Sequence, residues 1–188
     1  MDPNRLTQKS QEVVHQAQAV ATLFGHQQVD AEHLLMALCQ QEGGLVPRLL
    51  KKMNRPSDVV IAELKRELQK RPAVTGPGAE VGKLYITSTL KETFVSAEEE
   101  AKHFKDEYVS VEHLLLAIVK QAEKTAAGSI LHTLGISHNA LLTALTKVRG
   151  HQRVTSADPE ATYEALDRYG RDLVQLAREG KIDPVIGR

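Results

Sequence analysis

Tryptophan is absent from this chain, cysteine occurs once, and aromatic residues make up only 4% of its 188 positions. The single Cys39 excludes a disulfide framework and fits a reducing compartment, so a cytoplasmic location is expected. So few rings leave a core that must be aliphatic and rich in alanine, a composition suited to helices packed closely on helices. Net charge is missing too, because 24 basic residues balance 24 acidic ones. Without a basic footprint or stacking platforms, no nucleic-acid partner is expected. No run approaches the roughly 20 apolar residues needed to span a bilayer, and the opening MDPNRLTQKS lacks the apolar stretch of a secretory signal. Catalytic parts are equally scarce. There is no G-x-x-x-x-G-K-[ST] phosphate loop, no H-E-x-x-H, no pair of histidines at i, i+4 and no Ser/His/Asp signature. The expectation is a chain with no catalytic residues, no metal site and no cofactor of its own.

What the chain does contain is a repetition. Residues 29–38 read VDAEHLLMAL and residues 109–118 read VSVEHLLLAI, so Glu32 matches Glu112 and His33 matches His113 at an offset of 80. The match extends upstream through Leu6/Ile86, Thr7/Thr87, Val14/Phe94, Ala17/Ala97 and Phe24/Phe104. Downstream the offset becomes 81, with Leu50/Leu131, Met53/Leu134, Val60/Leu141 and Leu64/Leu145. A period this long marks a duplicated supersecondary unit.

Each unit reads as four helices. Thr7 caps the first, whose apolar positions Val13, Val14, Ala17, Val20, Ala21 and Phe24 recur at threes and fours, and Gly25 ends it. Asp30 caps the second, Gly43 and Gly44 break the chain, a short third helix stops at Asn54, and Pro56 suits the first turn of a fourth. The second unit repeats this from Thr87, with Ser110 as the next cap, Gly128 preceding its short helix and Ser137 opening the last. The expected fold is all-α: two pseudo-symmetric four-helix repeats, 1–70 and 84–148, packed as one domain, 1–148. Two small cores of about 65 residues would each be marginal alone, and the seam between them is the natural groove. Two Pro- and Gly-bearing stretches, 71–82 and 149–160, read as a mobile connector and a flexible linker. Residues 161–188 carry an apolar stripe (Ala165, Leu166, Tyr169, Leu173, Leu176) with nothing to pack on, as expected of the start of a further module.

The segments TQKSQE, GHQQVDAEHLLMAL, QQEGGLVPRLL, DEYVSVEHLLLAI and YGRDLVQLAREGKIDPVIGR occur in an order that resembles the N-terminal part of the ClpB-type disaggregases of the Clp/AAA+ family. The resemblance implies an all-helical Clp N-terminal domain tethered to a first AAA+ module, of which 161–188 is the beginning. It implies a parent protein that binds ATP and Mg, forms a hexamer, works with a DnaK-type chaperone system and threads unfolded or aggregated client proteins. The piece itself is expected to be a monomer that hydrolyses nothing. The alternative is an adaptor- or degron-docking domain of a ClpC- or ClpA-type unfoldase that feeds a protease. By the same resemblance, Val185 and Ile186 would lie against an adenine ring in the parent, and Thr7, Asp106 and Glu112 would affect client handling.

Glu32 and Glu112 stand in the first turns of their helices, where a carboxylate complements the helix dipole. They also invite a sharper reading, as symmetry-related anionic sites for basic groups on clients; related ClpC-type domains hold phosphorylated arginine with the matching glutamates. Asp106, in KDEY, reads equally as a solvated loop acid, and Thr7 as a cap first. The candidate substrate-binding residues are therefore Thr7, Asp106, Glu112 and Glu32. Glu98, Glu99 and Glu100 read as a solvated helix face, His33 and His113 as members of capped helices, and Cys39 as a small, partly buried apolar residue.

Overall fold

The computed structural model describes residues 3–74, 84–149 and 153–159. After a 3-10 turn at Pro3–Arg5, the described residues form α1 Gln8–Leu23, β1 Gln28–Val29, α2 Ala31–Gln40, α3 Leu45–Lys52 and α4 Ser57–Leu68. The second half follows as β2 Tyr85–Ile86, α5 Ser88–His103, α6 Val111–Lys120, α7 Ala126–Thr133 and α8 His138–Arg149. The fold is all-α, as the periodicity requires. Helix lengths of 16, 10, 8 and 12 residues recur in both halves. The change of offset from 80 to 81 is one extra residue in the loop between α6 and α7.

Local chemistry sets the helix ends. Thr7 Oγ1 accepts from the Ser10 N–H, and Thr87 Oγ1 accepts from the Leu90 N–H. Asp30 and Ser110 close capping boxes in which His33 and His113 reach back to the cap residue's own N–H. The turn after α1 needs a positive φ, supplied by Gly25 at 70°, and the matching turn after α5 forces the same conformation on Lys105 at 59°. Gly135 and Asn54 are the corresponding pair after α7 and α3. Gly128 does not precede α7; it lies inside it, and Thr125 is the cap. A Cβ at Gly128 would come within 2.7 Å of backbone atoms of Ile118, Gln121 and Ala122, so glycine lets α7 approach α6.

At the centre lie α2 and α6, each with nine of its ten residues buried. A helix apolar all round has to be enclosed, and the other helices do this. The halves interlock in two ways. The Thr7 N–H donates to Val109 O (3.1 Å), and its counterpart Thr87 N–H donates to Val29 O (3.2 Å). These exchanges accompany a parallel β1–β2 pairing and a Leu6–Val109 bridge. The short helices also cross over, α3 packing on α6 and α8 while α7 packs on α2 and α4.

The linker expected at 149–160 is where the structure departs from the sequence reading. Arg149 is the last residue of α8, and residues 153–159 lie on the domain surface with Val154 and Pro159 buried. Backbone and side-chain hydrogen bonds to Lys105, Asp106, Glu107 and Gln8 hold them there, contacts that a Ser- and Asp-bearing stretch does not announce. The connector at 71–82 likewise begins docked, with the Val74 N–H donating to Gly25 O at 2.9 Å. Residues 161–188, including Val185 and Ile186, lie outside the described residues.

Candidate functional site

An apolar groove of about 370 Å³ runs between α1 and α5, lined by Leu6, Val14, Ile86 and Phe94 with Gln11, His15 and Lys91 on its polar side. Six of these residues form repeat-related pairs (Leu6/Ile86, Gln11/Lys91, Val14/Phe94), so the groove lies on the seam between the two copies. Thr7 borders it without opening into it. The side chain is buried, its Oγ1 caps α1 and also donates to Ser10 Oγ at 3.0 Å, and its backbone is tied to Val109.

Behind the groove each repeat buries one charged node. In the first, Glu32 Oε2 accepts from Arg71 Nη2 at 2.6 Å and Glu32 Oε1 accepts from the Ala127 N–H at 3.2 Å. The Glu32 carboxylate thus neutralises the N-terminus of α7, a helix of the other repeat. Arg71 also reaches Asp30 Oδ2 at 3.3 Å, and Thr87 Oγ1 donates to Asp30 Oδ1 at 2.8 Å. His33 Nδ1 accepts from the Asp30 N–H, which leaves the proton on Nε2, 2.8 Å from His26 Nδ1. Burial first, then the neighbouring His26 and Arg71, pull the His33 pKa down to about 4. Burial and Arg71 lower His26 as well.

In the second node Asp106 stands where the first has His26, Ser110 where it has Asp30, and Arg149 closes the end of the fourth helix as Arg71 follows it in the first. Arg149 Nη2 donates to Asp106 Oδ1 at 2.5 Å, Nη1 lies 3.5 Å from Glu112 Oε1, and the guanidinium stacks 5.5 Å over the Phe104 ring. His113 Nδ1 accepts from the Ser110 N–H, and Nε2 faces Asp106 Oδ2 at 3.1 Å. Burial on its own would raise the Asp106 pKa. Hydrogen bonds from His113, Arg149 and the Val154 N–H, with the Arg149 charge, outweigh it and hold that carboxyl below its usual range.

The structure sets these candidate residues in surroundings other than the sequence suggested. Thr7, Glu32, Asp106 and Glu112 are all buried, and Asp106 is no solvated loop acid. The basic groups expected from a client are already supplied by Arg71 and Arg149, because a carboxylate withdrawn from water needs a partner. Sequence reading missed both arginines, since a cation near a helix C-terminus passes for a solvated one. The signal available was weak, an arginine ending the fourth helix in the second repeat and one just beyond it in the first, at positions that do not match in the duplication. Glu100 also departs from expectation. It is buried and accepts from His138 Nε2 at 3.1 Å while pairing with Lys120. Cys39 is fully enclosed, and burial pushes its thiol up to about 12, too high for a nucleophile. Among the described residues no group of three or more His, Cys, Asp or Glu is placed to hold a metal, and no helix is long and apolar enough to cross a membrane.

Residues 5–134 match the Clp repeat (R) N-terminal domain. The chain belongs to the Clp N-terminal repeat family. This Clp N-terminal domain is 51% identical over 188 residues to the chaperone protein ClpB of Nitratidesulfovibrio vulgaris and 50% identical to that of Bacillus cereus. Each alignment covers 100% of this chain and 22% of the relative, so the chain spans about a fifth of the curated proteins it matches. These likenesses place it with the ClpB-type chaperones rather than with ClpC- or ClpA-type unfoldases. The same fold occurs in the Hsp104 N-terminal domain of Candida albicans, at a TM-score of 0.69 and 21% identity over 82% of this chain and 98% of that one. The N-terminal domain of the Escherichia coli ClpV1 ATPase gives 0.65 at 19% identity, over 80% of this chain and 88% of that one.

Proposed function

We propose that this Clp N-terminal domain captures exposed apolar segments of unfolded or aggregated polypeptides in the seam groove and hands them to the ATP-driven ring of a ClpB-type disaggregase. The groove carries this reading: it is lined by aliphatic and aromatic side chains, open to solvent, and built from both copies at once. Capture is weak and reversible, because a site this small buries few side chains of a client that must order itself on binding. Thr7, Asp106, Glu112 and Glu32 act behind the groove by fixing the frame of α1 and α5, rather than by touching clients. In the full-length protein the ATP and Mg chemistry, the hexamer, the cooperation with a DnaK-type system and the adenine contact at Val185 and Ile186 belong to the modules that follow. The protein is cytoplasmic. The chain itself performs no catalysis.

The test is a titration of the chain with a reduced, alkylated, permanently unfolded protein, read by backbone chemical shifts. Shifts should map to α1 and α5, and Val14→Glu or Phe94→Glu should abolish them while leaving far-ultraviolet circular dichroism unchanged. Equal affinity in both variants would remove the groove as the capture site.

A further inference from the structure

The two repeats differ most where the chain leaves them, and the difference is built from buried groups. After α4, the departing segment is held by the Arg71 side chain on Asp30 and Glu32, and where it crosses the α1–α2 turn the described residues make one backbone hydrogen bond, Val74 N–H to Gly25 O, with Val74 43% exposed. After α8, the departing segment crosses the α5–α6 turn at the same place and makes more hydrogen bonds at the crossing itself. The Val154 N–H donates to Asp106 Oδ1 at 2.8 Å, Val154 O accepts from the Glu107 N–H at 2.9 Å, and Arg153 Nε donates to Lys105 O at 2.7 Å. The Val154 side chain is 0% exposed. Further on, Ala157 O accepts from the Gln8 N–H at 2.8 Å. That amide is the first of α1, one of the donors a helix leaves unsatisfied, so the departing chain completes the cap that Thr7 begins. The carboxylate responsible exists only in the second repeat, because the first has His26 where the second has Asp106.

We propose that residues 153–159 form a strap latched to the second repeat by Asp106, so that the chain beyond leaves from a fixed point at the N-terminus of α1. Asp106 is then a positioning residue. Its Oδ1 receives both Arg149, which ends α8, and the Val154 N–H, which begins the strap, so one atom joins the last helix to the exit path. Gln8 lies one helical turn before Gln11 of the seam groove, which sets the exit beside the end of that groove. This latch is independent of what the groove binds, and an empty groove would leave it intact.

Amide hydrogen exchange on the 188-residue chain tests it, each amide referred to its own unfolded rate. Val154 and Gln8 should be protected at least about tenfold more than Val74, a factor equal to ~1.4 kcal/mol. Asp106→His combined with Ser110→Asp gives the second node the first repeat's residues and leaves Arg149 a carboxylate partner. It should cut Val154 and Gln8 protection about tenfold, the scale of one charge-assisted hydrogen bond, with α2 and α6 amides still protected. If that double variant does not fold, Val154→Gly, which lies in no helix, should release Gln8 by itself. Exchange of Val154 and Gln8 as fast as Val74 in the unaltered chain, or protection that survives the substitutions, would overturn the latch.

Discussion

Replacing Arg149 with methionine is the sharpest probe of the buried nodes, because the duplication supplies its own control. The Arg149 side chain is 4% exposed and stands between two buried carboxylates, with the Phe104 ring beneath it. Methionine keeps the apolar stem and removes the charge. Asp106 would retain His113 and the Val154 N–H, but Glu112 would lose the 3.5 Å approach of Nη1, and its Oε2 has no hydrogen-bond partner among the described residues. Breaking a buried pair from one side costs ~3–5 kcal/mol, since the penalty is an uncompensated charge left behind. In a domain of this size that lowers the melting temperature by roughly 10 °C or more. Arg71 lies closer to its glutamate, 2.6 Å from Glu32 against 3.5 Å between Arg149 and Glu112, yet its side chain is 30% exposed. Water can take over part of its role, so Arg71→Met should cost no more than about half as much. Urea unfolding of both variants at neutral pH measures the difference. The triple change Arg149→Met, Asp106→Asn, Glu112→Gln should regain most of the loss. An Arg71 variant that is the weaker of the two, or a triple variant no better than Arg149→Met, would refute the account based on desolvation.

Acid should act first on the first repeat. Burial, aided by Arg71, keeps His26 and His33 neutral and outweighs Asp30 and the Leu68 carbonyl, which favour the proton, so their folded pKa values lie below the usual 6.5. Their stabilisation is complete above that value and is lost as pH falls below it, for His33 through the window down to about 4, a loss on the order of a few kcal/mol for that residue. His26→Asp gives His33 the carboxylate that His113 enjoys, so unfolding free energy measured from pH 7 to 4.5 should fall less steeply. Lys105→Gly relieves a side chain from positive φ and should raise stability by about 1 kcal/mol in denaturant unfolding. Gly128→Ala should lower it by ~2 kcal/mol or more, because the new methyl meets backbone rather than a movable side chain; an unchanged midpoint would show that α7 can shift away.

Most of the fold could be read from the chain because it rests on local rules. Helix periodicity, caps at Thr7, Asp30, Thr87 and Ser110, and an 80-then-81 offset are statements about residues a few positions apart or about self-similarity. The functional arrangement could be read only in part. Glu32 and Glu112 stood out through repetition, but their burial depends on Arg71 and Arg149, 39 and 37 positions away. Glu100 sits in a run of three glutamates, and only the packing of Lys120 and His138 distinguishes it from its solvated neighbours. The strap was hidden for a similar reason. Val154 is one apolar residue among polar ones, and what buries it is a turn 48 residues earlier.

The crossing of α3 and α7 into opposite repeats has a mechanical corollary. Each half carries a hook seated in the other, so neither can melt alone without pulling a structured piece out of its neighbour. Pulled from the end that leaves beside α1, the domain should yield in a single rupture instead of two steps. A chain cut between residues 74 and 84 should stay clasped until a denaturant frees both hooks together.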